Sequence, residues 1–128
     1  MIIAGVGCRS GASAAEVEAA IAAALASAGL KSGALGMIAT SYAKAAEPGI
    51  VNAASERRVK FVVVQQAEFE AAGLRAVTRS ERVLALTGVP SVSEAAALAA
   101  AGPDARLIAP RVAVGPATCA LASTENAL

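Results

Sequence analysis

Two short segments hold most of the side chains that could do chemistry. The first is Gly5-Val-Gly-Cys-Arg-Ser-Gly-Ala-Ser-Ala-Ala-Glu16, where an apolar stretch from Met1 to Val6 runs into a glycine-rich turn. Ser13 and Glu16 have the Ser-x-x-Glu spacing of a capping box, which starts a helix at about Ala14. A helix start presents N–H groups without intrahelical partners. The turn of Gly7, Cys8, Arg9, Ser10, Gly11 and Ser13 before it is therefore suited to an anion, and Arg9 adds a full positive charge. Gly5, Gly7 and Gly11 permit positive φ and close backbone approach. The same pattern also serves as a plain reversal between strand and helix, and the local residues leave both readings open.

The second segment is Thr40-Ser-Tyr-Ala-Lys-Ala-Ala-Glu-Pro-Gly49. Lys44 can bind a carboxylate or, once desolvated, act as a base. Glu47, three residues on, can pair with Lys44 or activate water. Tyr42, the only tyrosine of the chain, can stack on a planar ligand or simply cover the loop.

Several chemistries are excluded. The glycines follow Gly-x-Gly-x-x-x-Gly, not the dinucleotide pattern Gly-x-Gly-x-x-Gly, and no acid follows a second strand to hold a ribose. No Gly-Lys-Ser/Thr completes a phosphate-gripping loop. The chain has no histidine, which removes Ser-His-Asp and Cys-His nucleophiles, the commonest zinc ligands and the near-neutral proton shuttle. Cys8 and Cys119 are far apart and form no Cys-x-x-Cys, so neither a disulfide scaffold nor a zinc site is expected. No metal or cofactor is called for. Cys8, beside Arg9 and a helix start, is placed where a thiol pKa can fall; Cys119, in an apolar strand, reads as core.

A net charge of +1, without interleaved basic and aromatic residues, argues against nucleic acid and membrane surfaces as partners. No apolar run approaches the roughly 18 residues of a membrane span, and no leader pattern opens the chain, so a cytoplasmic location is expected. Roughly a quarter of the residues are alanine, with two Phe, one Tyr and no Trp. Helices must then pack closely through small side chains, and the small core is compatible with a homodimer.

The elements that would position these residues alternate. A helix over about 14–28 ends at Gly29, a strand covers 35–40, and Pro48 opens a short helix through Glu56. Val59 to Val64, nearly all apolar and β-branched, reads as a central strand buried on both faces. Helical stretches follow at 66–72, with Phe69 inward, and at 80–87. A second capping box, Ser91-x-x-Glu94, starts an alanine-rich helix to Ala101, and makes Ser91 a second candidate for a carboxylate. Strands at 107–109 and 117–121 flank a turn region from Pro110 to Pro116, where Arg111 is a weaker anion ligand. Residues 123–128 are expected to fray. The sum is one domain over 1–128, an α/β/α sandwich with a largely parallel or mixed sheet of about five strands.

Gly5-Val-Gly-Cys-Arg-Ser-Gly-Ala-Ser, Lys44-x-x-Glu47-x-Gly49, Thr87-Gly-Val-Pro-Ser-Val-Ser-Glu-Ala-Ala and the late Ala117-Thr-Cys-Ala-Leu-Ala strand, in this order, closely resemble the CobE and CbiG C-terminal-domain family of cobalamin biosynthesis. The resemblance spans essentially the whole chain and points to the stand-alone CobE type. It implies a precorrin or corrin intermediate as ligand, with other enzymes of the pathway as possible partners. The leading expectation is an accessory tetrapyrrole-binding or hand-over module. The runner-up is a hydrolase that opens a precorrin lactone and releases a two-carbon fragment, with Lys44 and Glu47 as acid and base. A generic anion- or nucleotide-binding α/β domain is the third reading, resting on the first loop alone.

Overall fold

The computed structural model describes residues 1–124. Strand β1 (Ile2–Cys8) is followed by α1 (Ala14–Ser27), β2 (Leu35–Ser41), α2 (Pro48–Arg57) and β3 (Lys60–Val64). Helices α3 (Gln66–Gly73), α4 (Glu81–Thr87) and α5 (Val92–Ala101) come next, and the hairpin β4 (Arg106–Val114) and β5 (Ala117–Ser123) closes the chain. The sheet order is β3-β2-β1-β5-β4. Strands β1, β2 and β3 are parallel, and β5 runs antiparallel to both β1 and β4. Of the largely parallel and mixed sheets expected, the chain forms the mixed one, with five strands in an α/β sandwich.

Alternation along β1 divides the core. Ala4 and Val6 pack with Val17, Ile21 and Leu25 of α1 and Ile50 of α2 on one face of the sheet. Ile3 points the other way, toward Phe69 of α3 and Ala95 and Ala96 of α5. Side chains this small leave a helix stable on the sheet only if the backbones come close. Gly5 makes that possible: a Cβ there would overlap the Ser93 carbonyl oxygen and the Ala97 backbone nitrogen of α5. On the opposite side of the molecule, a Cβ at Gly49 would overlap the Ala12 carbonyl oxygen, so the start of α2 lies directly on the loop before α1.

Local signals explain the helix ends. Ser13 and Glu16 form the reciprocal capping box, with Glu16 N–H donating to Ser13 Oγ at 3.1 Å and Ser13 N–H to Glu16 Oε1 at 2.9 Å. Pro48 occupies the first turn of α2. Gly29 and Gly88 take positive φ just past α1 and at the end of α4. The Arg57 guanidinium fastens α2 to α1 by holding both oxygens of Glu18, and also donates to the Ser32 carbonyl. Arg75, in the loop after α3, donates to the carbonyls of Leu98, Gly102, Pro103 and Ala105, which tie down the end of α5.

Four expectations need correction. The run ending at Val64 is an edge strand, not a central one, and only Val64 of β3 is buried. Its β-branched residues suit a pleated strand, but strand order is set by the chain crossovers, and the central place goes to β1. Residues 110–114 belong to β4 instead of a turn; the register shifts between Ala109 and Val112 absorb Pro110 as a bulge, leaving Gly115 at positive φ in the turn. Ser123 is not frayed but paired with Ile2 and Arg106; the rest of that expectation, at 125–128, lies outside the described residues.

The fourth concerns the second capping box, which is only half formed. Ser91 Oγ accepts from Glu94 N–H at 3.4 Å, but the Glu94 side chain turns away. Buried completely, its carboxylate accepts from Val77 N–H at 2.8 Å, Thr78 N–H at 2.9 Å, Thr78 Oγ1 at 2.6 Å and Arg111 N–H at 2.8 Å. One side chain of α5 thus joins the loop before α4 to the bulge of β4.

Two substitutions check this packing. Gly5→Val should cost about 3 kcal/mol or more in chemical denaturation, because backbone atoms of α5 cannot give way like a flexible side chain. Glu94→Gln turns an amide NH2 toward a pair of donors and should cost at least about 2 kcal/mol, one unsatisfied buried donor or more. Wild-type stability in either variant would contradict the packing described.

Candidate functional site

The carboxyl end of β1, the loop after β2, helix α4 and the turn of the closing hairpin converge on an open cleft of about 560 Å³. Parallel strands β1 and β2 end on the same edge, so Gly7, Cys8 and Arg9 come to lie beside Ser41, Ala43 and Lys44. The turn of the hairpin contributes Gly115 and Pro116, and Arg9 N–H donates to the Pro116 carbonyl at 2.9 Å. Ser80, Arg82, Val83, Leu86 and Thr87 bring one face of α4 to the opposite wall.

The lining has a clear chemical character. Arg9, Lys44, Arg82 and Arg111 carry positive charge, and no Asp or Glu among the described residues lines the cleft. None of these four side chains forms an ion pair or hydrogen bond with another described residue. Val83, Leu86, Val92 and Ala113 supply apolar surface between them, and Ser41, Ser80, Thr87 and Thr118 supply hydroxyls. The Thr118 hydroxyl lies 3.4 Å from the Gly7 carbonyl it donates to, and a Cβ at Gly7 would press on that hydroxyl and on the Val92 side chain, so the floor at that glycine has little room to spare. A surface of this kind suits a ligand with several carboxylates and an extended apolar body.

The glycine-rich turn is not the open cluster of N–H groups that its sequence suggests. Gly11 takes φ +86 and its N–H donates to Glu47 Oε1 at 2.7 Å. Ala12 N–H is bonded to the Arg9 carbonyl, and Ser13 and Glu16 N–H are committed to the capping box. The chain's own carboxylates have filled much of the anion site. Glu47 is accordingly not paired with Lys44: its oxygen is spent on Gly11, and Lys44 is left on the cleft wall.

Of the residues singled out in the sequence, the structure gathers Gly7, Cys8, Arg9 and Lys44 around the cleft. Ser10, Gly11, Ser13 and Glu47 lie in or against the turn but do not line it. Tyr42 is 72% exposed and does not line the cleft. Ser91 is fully buried with its hydroxyl spent as a helix cap, so it is not available to a ligand from solvent. Arg111 is brought in by the β4 bulge. Arg82 and Leu86 were not singled out beforehand. Their one signal is an i, i+4 spacing on a short helix, too common to identify a site.

Cys8 departs from expectation as well. Partial burial pushes its thiol pKa up, the Glu47 carboxylate pushes it further, and Lys44 opposes the rise. Desolvation and the Glu47 carboxylate together outweigh Lys44. Cys119, wholly buried, is pushed up far more strongly.

The chain as a whole has relatives among known proteins. The model of the family described as cobalamin synthesis G C-terminus matches residues 2–122. The chain belongs to this family. Protein CobE of a Sinorhizobium species is 40% identical over 121 residues, which cover 94% of this chain and 79% of that protein. The crystal structure of CobE, from the cobalamin (vitamin B12) biosynthetic pathway, superposes with a TM-score of 0.87 at 32% identity, covering 95% of this chain and 89% of the other. Cobalamin biosynthesis protein chiG from Agrobacterium tumefaciens gives a TM-score of 0.77 at 42% identity over 98% of this chain and all of the other. A cobalamin biosynthesis protein G homolog from Sulfolobus solfataricus gives 0.69 at 26% identity, and there the chain matches only 37% of the longer protein. This member of the cobalamin synthesis G C-terminus family is therefore a protein of cobalamin biosynthesis. No single helix among its described residues is long and apolar enough to cross a membrane.

Cysteine reactivity tests the electrostatics at the end of β1. Glu47→Gln keeps an acceptor for Gly11 but removes the charge that raises the Cys8 pKa, so alkylation of Cys8 at pH 8 should accelerate, whereas Lys44→Met should slow it. Cys119 should react only on unfolding. For stability the sign follows from the raised folded pKa: the neutral Cys119 thiol favours the fold fully below its unfolded pKa of about 8.5, and this contribution is lost as pH rises toward the folded value. Cys119→Ala should reduce the loss of stability measured between pH 8.5 and about 10 by roughly 1.4 kcal/mol per pH unit.

Proposed function

We propose that the cleft binds a precorrin or corrin intermediate of the cobalamin pathway and that the protein acts as an accessory module. In the cytoplasm it holds a labile tetrapyrrole and hands it to the next enzyme. The observation that carries this reading is the set of Arg9, Lys44, Arg82 and Arg111 around an acid-free cleft with an apolar wall. Corrin-pathway macrocycles carry several acetate and propionate carboxylates around a flat, largely apolar ring. Arginine suits such carboxylates because its planar fork donates two parallel hydrogen bonds. A cleft of about 560 Å³ admits one edge of the macrocycle with its carboxylates and leaves the opposite edge exposed for transfer.

The reading as a lactone-opening hydrolase draws on the same residues with less support. Lys44 stands on the cleft wall, but Glu47 is anchored to Gly11 and does not line the cleft. Binding and hand-over require neither group to move a proton.

An absorbance titration with hydrogenobyrinic acid tests the proposal. Saturable binding is expected, weakening as salt is raised, with roughly tenfold lower affinity in Arg9→Ala and in Arg82→Ala, each about 1.4 kcal/mol. Unchanged affinity in the Arg9→Ala/Arg82→Ala double variant would remove the cleft from consideration. A time-dependent spectral change abolished by Lys44→Ala would instead establish the hydrolase.

A further inference from the structure

Helix α4 stands apart from every other element of the fold. It is the only α-helix among the described residues with no buried residue, although four of its seven residues, Val83, Leu84, Ala85 and Leu86, are apolar. Leu86 is 75% exposed. On one side α4 presents Arg82, Val83 and Leu86 to the cationic cleft. Behind it, Leu84 and Gly88 border a second cavity of about 400 Å³ together with Gly73, Leu74 and Val77. A seven-residue helix with open space on both sides, whose Val83 and Leu84 are only half-buried, is weakly held by packing.

Its ends, by contrast, are fastened. Ser80 N–H donates to the Pro90 carbonyl at 3.0 Å, which draws the two ends of the segment together into a neck. On the entering side, Val77 and Thr78 are bound to the buried Glu94 carboxylate. On the leaving side, the Thr87 hydroxyl bonds to the Val83 and Val89 carbonyls, Gly88 takes φ +83, and Val89 is fully buried. The helix itself is kept intact by the Ser80 cap on Val83 N–H. The geometry is that of a short, loosely packed flap on a fixed neck, with cavities before and behind it.

We infer that α4 is a lid that swings into the cleft when ligand binds, laying Val83 and Leu86 on the apolar face of the macrocycle and Arg82 on one of its carboxylates. This deepens the binding proposal above and rests on it. The apolar residues that have no core to join in the free protein acquire one in the bound ring, so closure and ligand capture are the same event. The charge arrangement selects the occupant: Arg82 moves toward Arg9, Lys44 and Arg111, a motion that only a polyanion between them favours. A neutral or cationic macrocycle would leave the lid open.

Amide hydrogen exchange on the full protein, with and without hydrogenobyrinic acid, tests the lid, with binding followed separately by absorbance. In the free protein the amides of α4 should exchange at least 100-fold faster than those of α5, and saturating ligand should slow them at least tenfold while α1 and α2 stay unchanged. Equal protection of α4 and α5 in the free protein would overturn the lid. Spectroscopically confirmed binding with unaltered exchange in α4 would also overturn it, while leaving the binding proposal intact. Absence of any spectral binding by folded protein would remove the binding proposal and the lid with it. As an independent check, Leu86→Ser alters an exposed side chain and should leave the melting temperature unchanged, yet accelerate ligand dissociation about tenfold. Unchanged dissociation would count against the lid.

Discussion

The close approach of α5 to β1 at Gly5 is the constraint on which the rest of the molecule depends. With alanine as the dominant core side chain, a helix spaced normally from the sheet would leave gaps, and gaps in a core forfeit dispersion contacts. The absent Cβ of Gly5 lets α5 settle with Ser93 and Ala97 against the central strand. Once α5 is seated there, Glu94 is buried beside it and its carboxylate reaches two other parts of the chain. The loop before α4 and the bulge carrying Arg111 are both located by that one side chain.

The cleft inherits its character from this arrangement. Arg9 and Lys44 are delivered by adjacent parallel strands, which is the general reason ligand sites lie at the carboxyl edge of such sheets. Arg111 and Arg82 arrive by another route, through Glu94 and the elements it ties together. Four cations without a side-chain partner among the described residues, set around one opening, raise the energy of the free protein slightly and so favour an anionic guest. By contrast, Glu47 and Glu16 are turned inward on the glycine-rich turn, where they satisfy backbone donors that a ligand would otherwise compete for. The turn is a scaffold for Arg9 and Cys8 more than a binding loop in its own right.

How much was legible before the fold was known varies with the range of the interaction. Both serines of the capping boxes, Pro48 at the start of α2, Gly29 after α1 and the inward Phe69 were all readable, because each depends on neighbours within one or two turns. The edge position of β3 was not, since a β-branched run describes a pleated surface and says nothing about which strands flank it. The purpose of Glu94 was hidden too: the Ser-x-x-Glu spacing suggests a reciprocal cap, but three backbone donors and a hydroxyl from distant segments offer its carboxylate more. The thiol of Cys8 followed burial and Glu47 instead of its cationic neighbours, a balance that only the packed structure sets.

What the sequence by itself determined is therefore local and compositional: the order of strands and helices, their caps, the small core, the absence of histidine chemistry, and the family to which its motifs belong. Tertiary structure decided which strand is central, that Glu47 serves Gly11 and not Lys44, and that Arg82 and Arg111 join Arg9 and Lys44 around one cleft. The physical reason is the same in each case. Capping and helical periodicity are satisfied by residues a few positions apart, whereas burial, charge grouping and the partners of a buried carboxylate are fixed only when segments remote in the chain are brought together.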